Sequence, residues 1–305
     1  MMHIMEGFLP WQWCLIWWII ALPCLMLGIY QLKTMTAKDA EKPPQTIIIN
    51  AGNDAAINLG QGNIVKDAVV TGSTIESSGS GGTTVKDSVI TRSTIGSAGG
   101  GASGNSIKVL AADREALPLL GVTGGFIFIL SALKLPSVTG SCSHPTGTGL
   151  STISFGPWIT SVVCAIVLLF QSLFLAHGGL SVLGANIVSM GIVGPLVGYA
   201  IYRLLRDTSV NIYITVFLVC AIADLCTYVM TSLELALAYP AETGGIVSSF
   251  ILFMGIFAIT QVPLAIVEGV VLALVFKYIV ALKPDILIRL KIFSEEKINA
   301  ARTDS

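Results

Sequence analysis

The sequence predicts an all-α polytopic membrane protein, on three observations. Of its 305 residues, 53% are apolar and only 11% charged; its mean hydropathy is +0.81; and the apolar residues gather into separate runs long enough to cross a bilayer. Soluble domains carry roughly 25% charged residues, so this chain lacks the polar surface to keep its apolar residues from water. A net charge of -1, from 17 basic and 18 acidic residues, offers no concentration of positive charge for phosphates. No nucleic-acid partner is expected. The cysteines at 14, 24, 142, 164, 220 and 226 fall mostly within apolar runs and form no CxxC pair, which argues against a disulfide framework or a zinc ribbon.

The first run, Leu9 to Leu32, lies in a stretch without charge between Gly7 and Lys33 and is long enough to cross a hydrocarbon core of ~30 Å at ~1.5 Å per residue. A cleaved signal peptide is the alternative, but no basic residue precedes the run and it is longer than an apolar signal core. Trp11, Trp13, Trp17 and Trp18 gather at one end, as interface anchors do. Further runs lie at Leu117 to Leu135, Trp158 to Ala176, Leu180 to Tyr202, Ile212 to Ala238 and Ile246 to Val280, where Pro263 is expected to kink the helix. A shorter run, Gly147 to Phe155, ends at Gly156-Pro157 and is read as a half-length or re-entrant helix. The stretch Pro136 to Gly149 before it is then expected to line a cavity, since irregular backbone at membrane depth needs protein or water around it.

These runs predict about seven transmembrane helices, one of them short or re-entrant, with the termini on opposite sides. Orientation follows from the basic residues. With the N-terminus outside, sixteen of the seventeen fall on the inner side, and Lys134 alone falls outside. Without the eight in the long loop, where the rule is weaker, the asymmetry is still eight to one. The chain is therefore expected to be a multi-pass protein of the cell membrane with its C-terminus in the cytoplasm. His3, His144 and His177 share the outer face.

Four segments follow: an N-terminal tip with the first helix (1–33), a polar insert (34–116), a transmembrane bundle (117–281) and a cytoplasmic tail (282–305). The insert contains a duplication, VKDAVVTGSTI at Val65 to Ile75 and VKDSVITRSTI at Val85 to Ile95, with a period of 20 residues. Two copies are one short of what a self-stacking array usually needs. Its β-branched residues favour short strands, while SSGSGG and SAGGGASG favour loose connections, so a β-rich appendage or disorder is expected rather than a functional domain. GASG at Gly101 to Gly104 matches the string of intramembrane serine proteases, but it sits in a polar loop. No GK dipeptide and no HExxH occur, which leaves neither a Walker A loop nor that protease motif. The chain is not expected to be an enzyme.

Asp224, Glu234 and Glu268 fall inside apolar runs, where a lone charge costs at least ~2.5 kcal/mol. A polar contact between helices is favoured for them over a metal path or a relay. The tail KPDILIRLKIFSEEK has apolar residues at helical spacing and is expected to lie on the inner membrane surface rather than on a partner.

From the residues alone, the three histidines have two readings: imidazoles in outer loops that face water, or metal ligands. His3 lies beside the chain terminus, where an amine, a backbone nitrogen and an imidazole can chelate one ion. His144 sits in the flexible break SVTGSCSHPTGTGL. A nitrogen-only set suits Ni²⁺, Co²⁺ or Cu²⁺ rather than Mg²⁺ or Ca²⁺, and acid should release the ion as imidazoles with an ordinary pKa of ~6.5 take up protons.

The strings MHIMEGFLP, SALKLPSVTGSCSHPTGTGL, FGPW, HGGLSVLGAN, VGPLVGY, ADLCTYVMTSLELAL and QVPLAIVEG, in that order, resemble the CbiM/NikM family. These are the substrate-capturing membrane components of energy-coupling-factor transporters for cobalt and nickel. The resemblance covers residues 2 to 32 and about 117 to 280. It implies that Met2, through its amine, His3, through its backbone nitrogen and ring, and His144 hold the metal in a nearly planar set. It places Ser141, Thr146, His177 and Asn186 around that set or on the path to it. It further implies no prosthetic group, transport of Co²⁺ or Ni²⁺, and partnership with a transmembrane coupling subunit, two ATPase subunits and a small accessory membrane subunit.

The HPTG motif resembles the cobalt branch, which feeds cobalamin synthesis, more closely than the nickel branch. Two features depart from the family. Met1 precedes Met2, for which a misplaced start is favoured because methionine removal needs a small following residue; a retained Met1 would let His3 saturate a square-planar ion without His144. The duplicated insert also stands where the family has a short connection, and excising Thr46 to Ser106 is expected to spare metal binding. Membrane proteolysis and proton-driven secondary transport are the competing function classes.

Overall fold

A short N-terminal strand, β1 (Met2–Ile4), precedes the first long helix, α1 (Trp11–Glu41), in the computed structural model. The structure describes residues 2–41, 45–50, 63–65, 69–71, 73–77, 83–85, 89–91, 94–97, 106–111, 116–133, 135–136 and 141–303. Met1, Lys42, Lys66, Lys86, Arg92, Arg114, Lys134, the GASG string and most of both glycine-rich connections lie outside these residues, as does the side chain of Met2. The chain divides into two units, residues 1–33 with 120–305, and residues 34–119.

In the second unit the strands are β2 (Gln45–Asn50), β3 (Asn63–Val65), β4 (Val69–Thr71), β5 (Ser73–Ser77), β6 (Thr83–Val85), β7 (Val89–Thr91), β8 (Thr94–Ser97) and β9 (Ser106–Ala111). The duplication folds as a repeat. β3, β4 and β5 pair in parallel with β6, β7 and β8 in a register that sets Asn63 opposite Thr83, Val69 opposite Val89 and Thr74 opposite Thr94. Each paired residue thus lies beside its own equivalent one period on, as in successive coils of a β-solenoid. β9 pairs antiparallel with both β2 and β5.

In the first unit the apolar runs become helices. α2 (Ala116–Ala132) leads to the two-residue β10 (Leu135–Pro136) and to β11 (Ser141–Ser143). The short α3 (Thr148–Phe155), α4 (Pro157–Phe174) and α5 (Leu183–Asn186) follow, and a π-helical segment (Ile187–Val193) runs on into α6 (Gly194–Leu205). α7 (Ile212–Ala238), α8 (Gly245–Leu282), α9 (Pro284–Arg289) and α10 (Glu295–Thr303) complete the chain. Among the described residues, five helical stretches are long and apolar enough to span a membrane: Trp11–Ala37, Pro157–Phe174, Leu183–Leu205, Ile212–Ala238 and Gly245–Leu282; Leu117–Ala132 is shorter. The protein is an all-α polytopic membrane protein with a β-rich insert.

Burial separates centre from rim. The apolar windows of α4, of the α5–α6 stretch and of α7 are each 56% buried within the protein, against 22% for α1 and α8. α1 and α8 therefore leave most of their apolar surface uncovered by the rest of the chain. Small residues set the closest approaches. A Cβ on Gly28 of α1 would lie 2.2 Å from the Trp158 carbonyl oxygen, and one on Gly149 of α3 would lie 2.1 Å from the Cys220 sulfur of α7. α3 is too short to span, and six of its eight residues are buried, so protein rather than lipid surrounds this backbone.

Pro263 sits inside the 38-residue α8. Two expectations shift. The run expected from Leu180 begins as a loop, turns helical at Leu183 and passes through seven π-helical residues, a winding associated with functional sites. The tail does not spend its apolar side on the membrane surface. Leu287, Ile292, Phe293, Ile298 and Ala301 are buried against Tyr202, Ile212, Val216, Phe276 and Val280. The Tyr202 hydroxyl donates to the Ile292 carbonyl, and the Lys297 ammonium donates to the carbonyls of Leu205, Arg206 and Thr208 at 3.1–3.2 Å. The tail closes the end of the bundle where α6 and α8 finish and α7 begins.

Candidate metal centre

The site begins with a sheet that places the chain's first residues inside the protein. β11 is the central strand, with β1 on one side and β10 on the other. β1 runs antiparallel to it, Met2 opposite Ser143, His3 opposite Cys142 and Ile4 opposite Ser141. Alternation along a strand puts His3 and Cys142 on one face, and Ile4 and Ser141 on the other. Ile4 and His3 are both fully buried.

One strand pair is too little to hold a chain end. Asn186 supplies the other edge of β1: its side-chain oxygen accepts from the Ile4 N–H at 2.9 Å and its amide nitrogen donates to the Ile4 carbonyl at 3.1 Å. The side chain thus imitates a neighbouring strand, and it stands immediately before the π-helical segment. The following residues are tied to the loop after α4. The Glu6 N–H donates to the Gly178 carbonyl, and the Glu6 carboxylate accepts from the Ser181 N–H at 3.1 Å. The Tyr239 hydroxyl donates to the Phe8 carbonyl, and the two rings lie 5.4 Å apart.

The glycines after His177 acquire a reason here. Gly178 has φ +76°, and a Cβ there would lie 3.1 Å from the Asn186 amide nitrogen and 3.7 Å from His3 Nδ1. A Cβ on Gly179 would lie 2.1 Å from the Glu6 carboxylate and 2.6 Å from the Glu6 Cα. The loop carries glycine because the N-terminal segment lies against it.

The three histidines, dispersed in sequence, meet. The ring centroid of His3 is 4.2 Å from that of His144 and 4.7 Å from that of His177, and His144 and His177 are 4.8 Å apart. All three are buried, with at most 1% exposure. That excludes the water-facing reading. Neither ring nitrogen of His3 has a hydrogen-bond partner among the described residues. His144 Nδ1 lies 2.8 Å from the Pro145 carbonyl oxygen, which can only accept. The proton is therefore on Nδ1 and the lone pair on Nε2, where it can serve a metal. Burial first, then the neighbouring His177, holds the His3 ring well below its ordinary pKa of 6.5, and burial with His3 does the same to His144. Both rings are neutral at physiological pH. His3, Cys142 and His177 also form a group whose ligand atoms all lie within 4.8 Å of one another.

The loop after His144 is held from below by Glu268 of α8. One carboxylate oxygen accepts from the Thr146 N–H at 2.5 Å; the other accepts from the Thr146 hydroxyl at 2.5 Å and from the Gly147 N–H at 2.9 Å. Gly147 has φ +68°, and a Cβ there would lie 3.0 Å from the Ile127 Cα, so only glycine fits. Thr146 spends its hydroxyl on Glu268 and Thr148. Ser141 is buried in β11 opposite Ile4.

The structure thus brings His3, His144 and His177 together, with Met2 beside them through its backbone pairing, and makes Asn186 the clamp on β1. Sequence reasoning missed the roles of Cys142, Glu6 and Glu268. Glu268 carried a signal, a lone acid in an apolar run; its partner, the HPTG loop, could not be read from spacing.

The family model described as the cobalt uptake substrate-specific transmembrane region, CbiM, matches residues 3–51 and 89–286. The unmatched stretch includes the first copy of the duplication. A protein named putative cobalt transport protein CbiM 2, from Methanosphaerula palustris, is 53% identical over 301 residues, which covers 99% of this chain and 97% of that one. One named putative cobalt transport protein CbiM, from Archaeoglobus fulgidus, is 41% identical over 94% of this chain and 98% of its own. A relative from Methanocorpusculum labreanum named putative fused cobalt transport protein CbiMQ is 52% identical over 196 residues, 63% of this chain and 33% of its own. A solved structure described as a transition metal transporter aligns over 91% of this chain and 92% of its own with a TM-score of 0.58 at 19% identity, which shows a shared fold.

Proposed function

Because the chain belongs to the CbiM family of cobalt-uptake substrate-specific transmembrane proteins, we propose that it captures Co²⁺ at the outer face of the cell membrane for import. The observation that carries this reading is the burial of His3 and His144 with their rings 4.2 Å apart, on a strand and a loop that hold both neutral. The ligands are the amine of Met2 as first residue, the backbone nitrogen and ring of His3, and Nε2 of His144. Such a nitrogen set suits Co²⁺ and Ni²⁺. His177 stands beside the set and bounds the site on the side of the α4–α5 loop.

The N-terminus faces outward and the packed tail faces the cytoplasm. With no Walker A loop in the sequence, energy comes from two ATPase subunits acting through a transmembrane coupling subunit and a small accessory membrane subunit. A relative named as a CbiM–CbiQ fusion supports the coupling partner. Metal analysis of protein purified from cells supplied with both ions tests the reading: one cobalt per chain, lost in His144→Ala, is expected. Nickel in its place moves the protein to the other branch, and neither ion bound refutes the reading. Intact mass without Met1 is the companion expectation; a retained Met1 with an unimpaired His144→Ala would overturn the proposed ligand set.

A further inference from the structure

We infer that the same histidine cluster contains a second, sulfur-bearing ligand set, His3, Cys142 and His177, which takes a thiophilic closed-shell cation such as Zn²⁺ or Cu⁺. It shares only His3 with the cobalt set and does not require that proposal to hold. Three observations support it. The register of β1 on β11 sets His3 directly opposite Cys142, on one face of the sheet. The His177 ring comes within 4.7 Å of that of His3 from the loop after α4. One ligand atom from each of the three lies within 4.8 Å of the others, and all three residues are buried. The edges of a tetrahedron built with Zn–N of about 2.0 Å and Zn–S of about 2.3 Å are roughly 3.5 Å, so closing the set takes shifts of about 1 Å.

The donor chemistry separates the two sets. The cobalt set is nitrogen only and draws on the main chain. This one is made of side chains alone and includes a thiol, which favours soft and borderline d¹⁰ ions that accept tetrahedral or trigonal geometry. The Met5 sulfur lies 3.8 Å from the Cys142 sulfur and adds a second soft donor at the edge of the set. On binding, Cys142 loses its thiol proton to solvent, one sulfur–metal bond forms, and no electron is transferred. Both sets use the His3 ring, so they cannot be filled together. The cluster therefore binds a thiophilic ion in a mode that excludes cobalt.

The test uses the full chain in detergent without oxygen, titrated separately with Zn²⁺ and with Cu⁺ against chromogenic chelators, and with Cd²⁺ to read the ultraviolet sulfur-to-metal charge-transfer band. Expected are one ion per chain, a charge-transfer band, and displacement of cobalt where cobalt binds. Cys142→Ser should weaken Zn²⁺ or Cu⁺ by at least about tenfold, the low end of what losing even an outer partner of a metal costs, and should abolish the band. The two titrations show which ion the set prefers. Thermal melting matched to the parent protein is the folding control, and His177→Gln serves as a second variant should serine at 142 fail to fold. Parent protein that binds neither ion, binding without the band, or unchanged affinity in both variants overturns the inference. Cobalt binding retained in Cys142→Ser keeps the two sets distinct, and absence of cobalt binding in the parent refutes the cobalt reading while leaving the thiol titrations to decide this one.

Discussion

Removing the Glu268 carboxylate should loosen the proposed metal site from a helix that supplies no ligand to it. Glu268→Ala leaves two buried N–H groups, of Thr146 and Gly147, without the acceptor they use in the intact protein. Each such orphan costs about 1–3 kcal/mol, and the Thr146 hydroxyl loses its carboxylate partner but keeps Thr148 at 3.1 Å. Together the cost is about 2–6 kcal/mol, carried mainly by the His144 loop. If about 3 kcal/mol of that appears as disorder of the loop, which the metal must reverse on binding, cobalt affinity falls roughly 100-fold, at about 1.4 kcal/mol per decade. Glu268→Gln should fall between the two. It retains one oxygen, but its NH₂ group faces an N–H where an acceptor is needed. The assays are cobalt titration and thermal melting of the same preparations. Affinity within about twofold of the parent protein, with an unchanged melting temperature, would refute the claim that this carboxylate holds the loop.

Gly179→Ala forces a methyl group into Glu6; at about 1–3 kcal/mol for overpacking, cobalt affinity should drop by up to roughly 100-fold, with the stability of the apo-protein little changed, and normal affinity by titration would count against the clamp. In the metal-free protein His3 and His144 titrate below the unfolded-chain value of about 6.5, so below that pH the unfolded chain binds more protons than the folded one. Stability should therefore be full above about pH 6.5 and decline as the pH falls from there toward the lowered folded values; melting curves across that range check this, and the decline should shrink in a variant with both histidines replaced. Asn50 and Ser106 face each other across the β2–β9 ladder, so residues 51–105 can be replaced by a two-residue turn. Cobalt binding should survive the excision. Loss of uptake with binding intact would assign the insert to coupling with the other subunits, and loss of binding would show that the metal site depends on it.

The fold was legible where physics acts over short range. An uncharged apolar run states its own membrane crossing, because no partner is needed to decide that it leaves water; this is why Ile212 to Ala238 is α7 to the residue. Glycine at 156 and proline at 157 likewise end α3 and start α4 through local backbone preferences. The tail was misjudged for the complementary reason. Its apolar spacing shows that one side seeks cover, and a membrane surface and the end of a bundle provide equally apolar cover. Only the closeness of Tyr202, Phe276 and Phe293 decides between them. The π-helical winding after Asn186 has no counterpart in apolar periodicity over seven residues.

At the site the limit is of another kind. His3, Cys142 and His177 are single residues from three distant segments, and nothing local in any of them specifies the others. Their meeting depends on a chain of conditions. β1 forms only if β11 is present, since a three-residue strand has no stability alone. β11 leads straight into the loop that Gly147 bends and Glu268 holds. β1 in turn needs Asn186 along its far edge, Gly178 beside Asn186 and His3, and Gly179 against Glu6 to lie flat. The candidate metal site is thus assembled from weak elements that brace one another. A metal ion bound there draws on the same loops that would otherwise loosen, so its affinity reports their combined order. That is why substitutions at Glu268 or Gly179, which touch no metal, are expected to be read most clearly in cobalt binding.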